Sequence, residues 1–130
     1  MKRIAGALTL MLLLAIGTAG AAEAPYDETT FHKLLSSGAP VALDFSASWC
    51  PTCRAQAPLL RSITGEPAFK DLTLLVADYD KEMALRKTYS VSMQSTLIVF
   101  RNGKEVARST GDTSRTGLSR LLGTALHQAP

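Results

Sequence analysis

Three short apolar runs stand out along the chain, and stretches with helical spacing of apolar residues separate them. The runs cover residues 41–46, 72–77 and 96–100. Continuous apolar runs of this length are typical of strands buried on both faces of a sheet. The Asn102–Gly103 pair is a strong signal for a two-residue hairpin turn, and residues 105–108 form the returning strand.

Four segments carry apolar residues at helical spacing. The first, which includes Phe31, is capped by Thr29 or Thr30 and ends at Gly38. The others cover residues 50–65, 81–88 and 113–126. Residues 22–27 show no clear pattern and are expected to be unstructured. Strands joined by helices, followed by a hairpin and a closing helix, predict an α/β fold with a single mixed β-sheet flanked by helices on both faces.

The N-terminus has the features of an export signal. Lys2 and Arg3 precede an apolar run over residues 4–16, and small residues follow it. We therefore expect residues 1–22 to be a cleaved signal peptide and residues 23–130 to form the mature domain in the periplasm. The alternative is an uncleaved anchor, because the apolar stretch approaches the roughly 20 residues that span a bilayer.

Composition and charge exclude several classes of function. The chain has 130 residues, of which 46% are hydrophobic and 19% charged, and this balance is typical of one globular domain. The net charge of +3 includes Lys2 and Arg3, and without them twelve basic residues face eleven acidic ones. No basic stripe is present to follow a phosphate backbone, so we expect no nucleic-acid partner.

Cys50 and Cys53 are the two cysteines of the chain, and their C-x-x-C spacing is its strongest chemical signal. In an exported protein such a pair is a structural staple, a metal clip or a redox couple. A disulfide across so short a loop removes little entropy from the unfolded chain. A structural zinc site normally has four ligands, and His32 and His127 have the pattern of ordinary helix-surface residues. The redox couple is therefore favoured.

The predicted helix start at Cys50 assigns different roles to the two sulfurs. A thiolate at a helix N-terminus is stabilised by the helix dipole and by free N–H groups. We therefore predict that Cys50 is the nucleophile. Cys53, one turn deeper and more shielded, then resolves the mixed disulfide.

The run over residues 41–54, VALDFSASWCPTCR, resembles the strand, active-site turn and helix start of the thioredoxin family. Pro58 matches the proline that kinks the family's active-site helix, and residues 89–91 and 96–103 resemble its third strand and hairpin. The resemblance covers about residues 31–126, whereas the family's first strand is weak or missing. It implies a thioredoxin fold and thiol–disulfide exchange without a bound cofactor.

The resemblance also implies roles for residues around the cysteines. In thioredoxins the aspartate that matches Asp44 accepts the proton of the resolving thiol. The lysine that neighbours this carboxyl in the family is replaced by Val76 here, so we expect a raised pKa at Asp44. Trp49 matches the tryptophan that covers the active site and offers an apolar docking surface.

The substrate-binding rim implied by the resemblance includes Pro51, Thr52, Gln94 and Ser95. Ser95 departs from the family, which carries a cis-proline there and presents backbone to an extended substrate. A cis bond before serine costs roughly 2.5–4 kcal/mol, so a trans peptide is an alternative. The serine hydroxyl is also free to bond a thiolate or a ligand.

The sequence thus predicts an exported, monomeric thiol–disulfide oxidoreductase that reduces disulfides in exported partner proteins. A membrane protein that passes electrons across the bilayer is the expected donor. The absence of a histidine between the cysteines favours a reductant over an oxidant. The alternative is a binding protein in which Cys50, Cys53 and Ser95 hold a soft metal such as Cu(I).

Overall fold

The computed structural model describes residues 21–126, and within them five strands form one mixed sheet. The strands are β1 (Ala22–Pro25), β2 (Val41–Ser46), β3 (Thr73–Asp78), β4 (Thr96–Arg101) and β5 (Lys104–Thr110). Their order across the sheet is β1-β3-β2-β4-β5. β3 runs parallel to both β1 and β2, whereas β4 is antiparallel to β2 and to β5. This confirms the predicted mixed sheet.

Helices cover both faces of the sheet. They are α1 (Glu28–Ser37), α2 (Pro51–Thr64), α3 (Met83–Thr88) and α4 (Arg115–Gly123), with a short 3-10 turn at Pro67–Phe69. Phe31 of α1 and Leu85 of α3 belong to the apolar cluster on one face. Leu60 of α2 and Leu118 of α4 belong to the cluster on the other. Among the described residues, no helix is long and apolar enough to span a membrane.

The central strand β2 sends alternate side chains into the two apolar clusters. Val41, Leu43 and Phe45 pack with α1 and α3, whereas Ala42 packs with α2 and α4. Because side chains alternate along a strand with a period of two, Asp44 lies on the same face as Ala42. The fold therefore places this carboxyl group on the side of the sheet that α2 covers.

The prediction that residues 22–27 are unstructured is wrong. Ala22–Pro25 forms β1, which pairs in parallel with β3 from Thr73 to Val76. Four residues at a sheet edge, one of them proline, are too few to show an alternating pattern. The helix cap also lies two or three residues earlier than predicted, since the carboxylate of Asp27 accepts the Thr30 N–H at 2.8 Å.

The hairpin prediction is confirmed. Asn102 and Gly103 join β4 to β5, and both have positive φ angles, 52° and 75°. A tight hairpin turn of this type requires positive φ at both central residues, which asparagine and glycine tolerate.

The closing helix is shorter than predicted, because α4 is capped by Ser114 and ends at Gly123. The predicted signal segment up to residue 20 and His127 lie outside the described residues.

Candidate active site

Cys50 caps the N-terminus of α2, as the sequence predicts. β2 ends at Ser46, and a short turn follows in which the Cys50 N–H donates to the Ala47 carbonyl at 3.2 Å. Pro51 occupies the first turn of the helix, where its missing N–H is not needed. The Cys50 Sγ accepts the Cys53 N–H at 3.1 Å. The end of a helix with unpaired N–H groups thus faces this sulfur.

Cys50 and Cys53 are joined by a disulfide, with their Cα atoms 5.3 Å apart. The prediction that Cys53 is the more shielded sulfur is wrong for this oxidised form, because Cys50 is 0% and Cys53 4% exposed. Both cysteines pack in a small cluster with Ala47, and Tyr79 lies against it. Exposure therefore does not distinguish the two sulfurs. Their positions do, because Cys50 caps α2 and Cys53 lies within the helix.

Asp44 is buried on the face of the sheet that α2 covers, with 7% of its surface exposed. Burial and, to a smaller extent, the negative charge of Glu23 together raise its pKa from 3.8 to about 7. Its Oδ1 atom has no hydrogen-bond partner within the described residues. Asp44 pairs with Val76 in the β2–β3 ladder, so the residue that replaces the family's lysine is its direct neighbour. The pKa of Asp44 is therefore raised, in the direction that the sequence predicts.

Trp49 is 54% exposed, so it is not a core aromatic residue. Its indole N–H donates to the Asp80 carboxylate at 2.7 Å, which holds the ring beside Cys50. Pro51 is exposed and Thr52 is half-buried in the first turn of α2. These three residues form an accessible rim next to the cysteines.

Ser95 is buried, and its backbone differs from that of a cis-proline. No peptide bond within residues 21–126 is cis, so the Gln94–Ser95 bond is trans. Ser95 instead has a φ of 59°, in the left-handed region. Its hydroxyl donates to the Gln94 carbonyl at 2.5 Å. The predicted free hydroxyl for a thiolate or ligand is thus already engaged.

Gln56 is a site residue that the sequence analysis missed. Its side chain is 1% exposed, and Nε2 donates to the carbonyls of Asp112 at 2.9 Å and Ser95 at 3.4 Å. Gln56 lies three residues after Cys53 and four before Leu60, on the buried stripe of α2. A polar residue on an apolar stripe was the signal that could have revealed it.

Tyr79 is a second missed residue. Its ring lies against the cysteine cluster, and its hydroxyl donates to the Ser92 carbonyl at 2.9 Å. The guanidinium of Arg86 lies over the same ring, 3.9 Å from its centre. No sequence pattern marks Tyr79, because it simply follows the end of β3.

The metal-binding alternative involves Cys50, Cys53 and Ser95. Within residues 21–126 no three side chains of histidine, cysteine, aspartate or glutamate gather as a potential metal site. The two sulfurs are bonded to each other, and the Ser95 hydroxyl is bonded to the Gln94 carbonyl. A metal at this pair would require the disulfide to be reduced first.

Known proteins have similar sequences and the same fold. The sequence profile of the thioredoxin family matches residues 23–124. Thioredoxin from Mycobacterium tuberculosis strain H37Rv is 38% identical over 96 residues, which cover 74% of this chain and 82% of that protein. Thioredoxin from Chlamydia trachomatis is 36% identical over 95 residues, covering 73% and 90%.

Solved structures agree with this relationship. The crystal structure of Trxlp from Edwardsiella tarda is 42% identical with a TM-score of 0.75, covering 78% of this chain and 98% of that one. Thioredoxin from Malassezia sympodialis, at 20% identity, shares the fold with a TM-score of 0.72 and covers 82% and 91%. With a cysteine pair at the start of α2, the chain belongs to the thioredoxin family and is a thiol–disulfide oxidoreductase.

Proposed function

We propose that this oxidoreductase works outside the cytoplasm and reduces disulfides in exported partner proteins. The observation that carries the proposal is the position of Cys50 at the α2 N-terminus with the buried Asp44 carboxyl on the same side of the sheet. The first stabilises a thiolate and the second accepts a proton. The signal-like N-terminus supports the location, and the Pro51–Thr52 pair, without histidine, supports the direction.

The proposed reaction moves two electrons from the protein to the substrate. The Cys50 thiolate attacks one sulfur of the substrate disulfide, whose S–S bond breaks, and the other substrate sulfur leaves as a thiolate. Cys53 gives its proton to the Asp44 carboxylate and attacks the Cys50 sulfur. The mixed disulfide breaks, the Cys50–Cys53 disulfide forms, and the substrate leaves with two thiols after proton uptake.

The pKa of about 7 suits Asp44 to this task. Near neutral pH a substantial fraction of the carboxyl groups are ionised and accept a proton, and the protonated form returns it at little cost. The nearby charge of Glu23 makes the Asp44 carboxylate a stronger base. Each cycle leaves the protein oxidised, so an electron donor is required, and we propose a membrane protein that carries electrons across the bilayer.

Reduction of insulin by the purified chain, with dithiothreitol as the electron source, tests the activity. Cys50→Ser is expected to abolish turnover. Cys53→Ser serves as the matched control, because it keeps the nucleophile and is expected to accumulate a mixed disulfide with the substrate through Cys50. Equal turnover of Cys50→Ser and the unmodified chain would overturn the assignment of the nucleophile.

The location requires a separate experiment. Residues 1–22 fused to alkaline phosphatase, which folds to an active form only where its disulfides form, are expected to give activity in a bacterial host. A fusion with Lys2 and Arg3 replaced by glutamate is the control and is expected to lose most of it. An inactive fusion with residues 1–22 would contradict export.

A further inference from the structure

The side-chain amide of Gln56 has its two polar atoms in opposite conditions. Its Nε2 group donates to the carbonyls of Asp112 at 2.9 Å and Ser95 at 3.4 Å, so the orientation of the amide is fixed. Its Oε1 atom is buried, and in the part of the chain that the structure describes it has no hydrogen-bond partner. A buried acceptor without a donor costs free energy. The oxidised protein therefore carries this cost beside its cysteine pair.

Cys53 gains a hydrogen-bond donor when the protein is reduced. Cys53 and Gln56 are three residues apart on the buried side of α2, and this spacing brings two Cβ atoms to about 5–6 Å from each other. Both residues are buried, with 4% and 1% of their surface exposed. In the disulfide the Cys53 sulfur carries no hydrogen, whereas reduction gives it an S–H group. Reduction thus supplies a donor next to the residue whose acceptor lacks one.

Resting on the dithiol cycle of the proposed function, we propose that the Gln56 Oε1 atom accepts a hydrogen bond from the Cys53 thiol in the reduced protein. Gln56 is then a positioning residue, which holds the resolving thiol in place and keeps it neutral while Cys50 is the thiolate. Because the bond exists in the reduced form alone, it stabilises that form relative to the disulfide. The amide of Gln56 therefore raises the reduction potential of the couple.

Other donors on this face of the sheet do not provide the same redox dependence. The Ser109 hydroxyl is buried without a partner among the described residues, and its pairing with Leu97 places it on the face that α2 covers. The Asp44 carboxyl lies on the same face and is a donor when it is protonated. Both groups are present in the oxidised protein as well. The Cys53 thiol, by contrast, exists in the reduced protein alone.

The reduction potential of the couple tests the inference without a substrate. The full chain, Gln56→Leu and Thr64→Val are equilibrated with glutathione buffers at pH 8, where the Asp44 carboxyl is mostly ionised and is not a donor. Thr64→Val is the matched control, because it also removes a buried polar group from α2. Thr64 lies at the far end of the helix from the cysteines, and its hydroxyl donates to the Leu60 carbonyl at 2.8 Å.

We expect Gln56→Leu to shift the equilibrium with glutathione toward the disulfide by roughly 2- to 10-fold, the range for one hydrogen bond. This factor corresponds to a potential lower by about 10–30 mV. Thr64→Val is expected to leave the equilibrium unchanged. In urea unfolding, the reduced form of Gln56→Leu should lose more stability than its oxidised form, by the same factor. An unshifted potential, or equal losses in the two forms, would overturn the inference.

The infrared S–H band of Cys50→Ser is a second measurement, since Cys53 is then the one thiol of the chain and Gln56 is intact. We expect this band at a lower frequency than that of a thiol in an apolar solvent, and adding Gln56→Leu should raise it to that value. The apolar-solvent frequency in Cys50→Ser would overturn the inference even if Gln56→Leu does not fold. Failure of the unmodified chain to reduce insulin would instead contradict the proposed function, and the potential would still decide the role of Gln56.

Discussion

Asp44 and Val76 are direct partners in the parallel pairing of β2 and β3, so an aliphatic side chain lies beside a buried carboxyl group. In a buried position the ionised form of a carboxyl is costly unless a cation or a set of donors compensates it. Here the charge that acts on Asp44 is the negative one of Glu23. The site therefore keeps this acid poised near neutral pH, and several measurable consequences follow from that.

Asp44→Asn is expected to stabilise the protein above pH 7 relative to the unmodified chain. The unfolded Asp44 loses its proton near pH 3.8 and the folded one near pH 7, so between these values stability falls as pH rises. Well above pH 7, ionisation of the buried Asp44 lowers the free energy of unfolding by on the order of 4 kcal/mol. Urea unfolding of the oxidised form at pH 4 and pH 8 measures it.

The expected difference between variant and unmodified chain grows from pH 4 to pH 8. Asp71→Asn is the control for this series, because it removes an exposed carboxylate rather than a buried one. A constant difference for Asp44→Asn across this range would contradict the raised pKa.

Asp44→Asn should also slow disulfide reduction, because the proton of Cys53 then lacks its acceptor. We expect a loss of about 10-fold at pH 7, below the roughly 100- to 10,000-fold range typical of general acid–base catalysis, because water provides an alternative acceptor. Single-turnover stopped-flow kinetics measures the resolving step, and the rate of the unmodified chain should rise with pH through about 7. Asp44→Glu is expected to restore part of the rate, whereas an unchanged pH profile in Asp44→Asn would rule out this role.

Val76→Lys should lower the pKa of Asp44. A lysine at this position brings a cation next to the carboxyl, which favours its ionised form. NMR titration of the Asp44 carboxyl carbon is the measurement, and stability at pH 8 should rise relative to Val76→Met. The methionine variant has a similar length without the charge, so an equal pKa in both variants would exclude the electrostatic explanation.

Trp49→Ala is expected to raise KM for insulin several-fold and to leave the reduction of a small aromatic disulfide almost unchanged. More than half of the Trp49 surface is exposed, so its loss should change the free energy of unfolding by about 1 kcal/mol or less. Asp80→Asn is the companion variant, since it weakens the indole hydrogen bond and retains the ring. Equal KM increases for both kinds of disulfide would argue against a docking role.

The central part of the fold was predictable because its signals are local and strong. The apolar run of β2, the cysteine at the start of α2 and the Asn102–Gly103 turn each specify one conformation. The buried position of Asp44 followed from a carboxyl in the middle of such a run. These elements agree with one another, and this consistency is what makes a fold predictable from its sequence.

The remaining features depend on contacts between distant segments. β1 exists because β3 offers it a partner, and four edge residues show no pattern on their own. The burial of Cys50 and the position of Tyr79 result from packing between α2 and the end of β3. Gln56 bonds Ser95 and Asp112, which lie 39 and 56 residues away in sequence. Hydrogen bonds across such separations leave no periodicity to detect.

The reduction potential of the Cys50–Cys53 couple tests the central claim most directly. The purified chain, free of metal, is equilibrated with defined thiol–disulfide buffers, and the oxidised fraction is measured by alkylation of the free thiols. The account predicts a potential near the roughly −270 mV of a reducing thioredoxin. A value near −120 mV, that of a strong oxidant, would contradict it, because electrons would then flow from the partner proteins to this one.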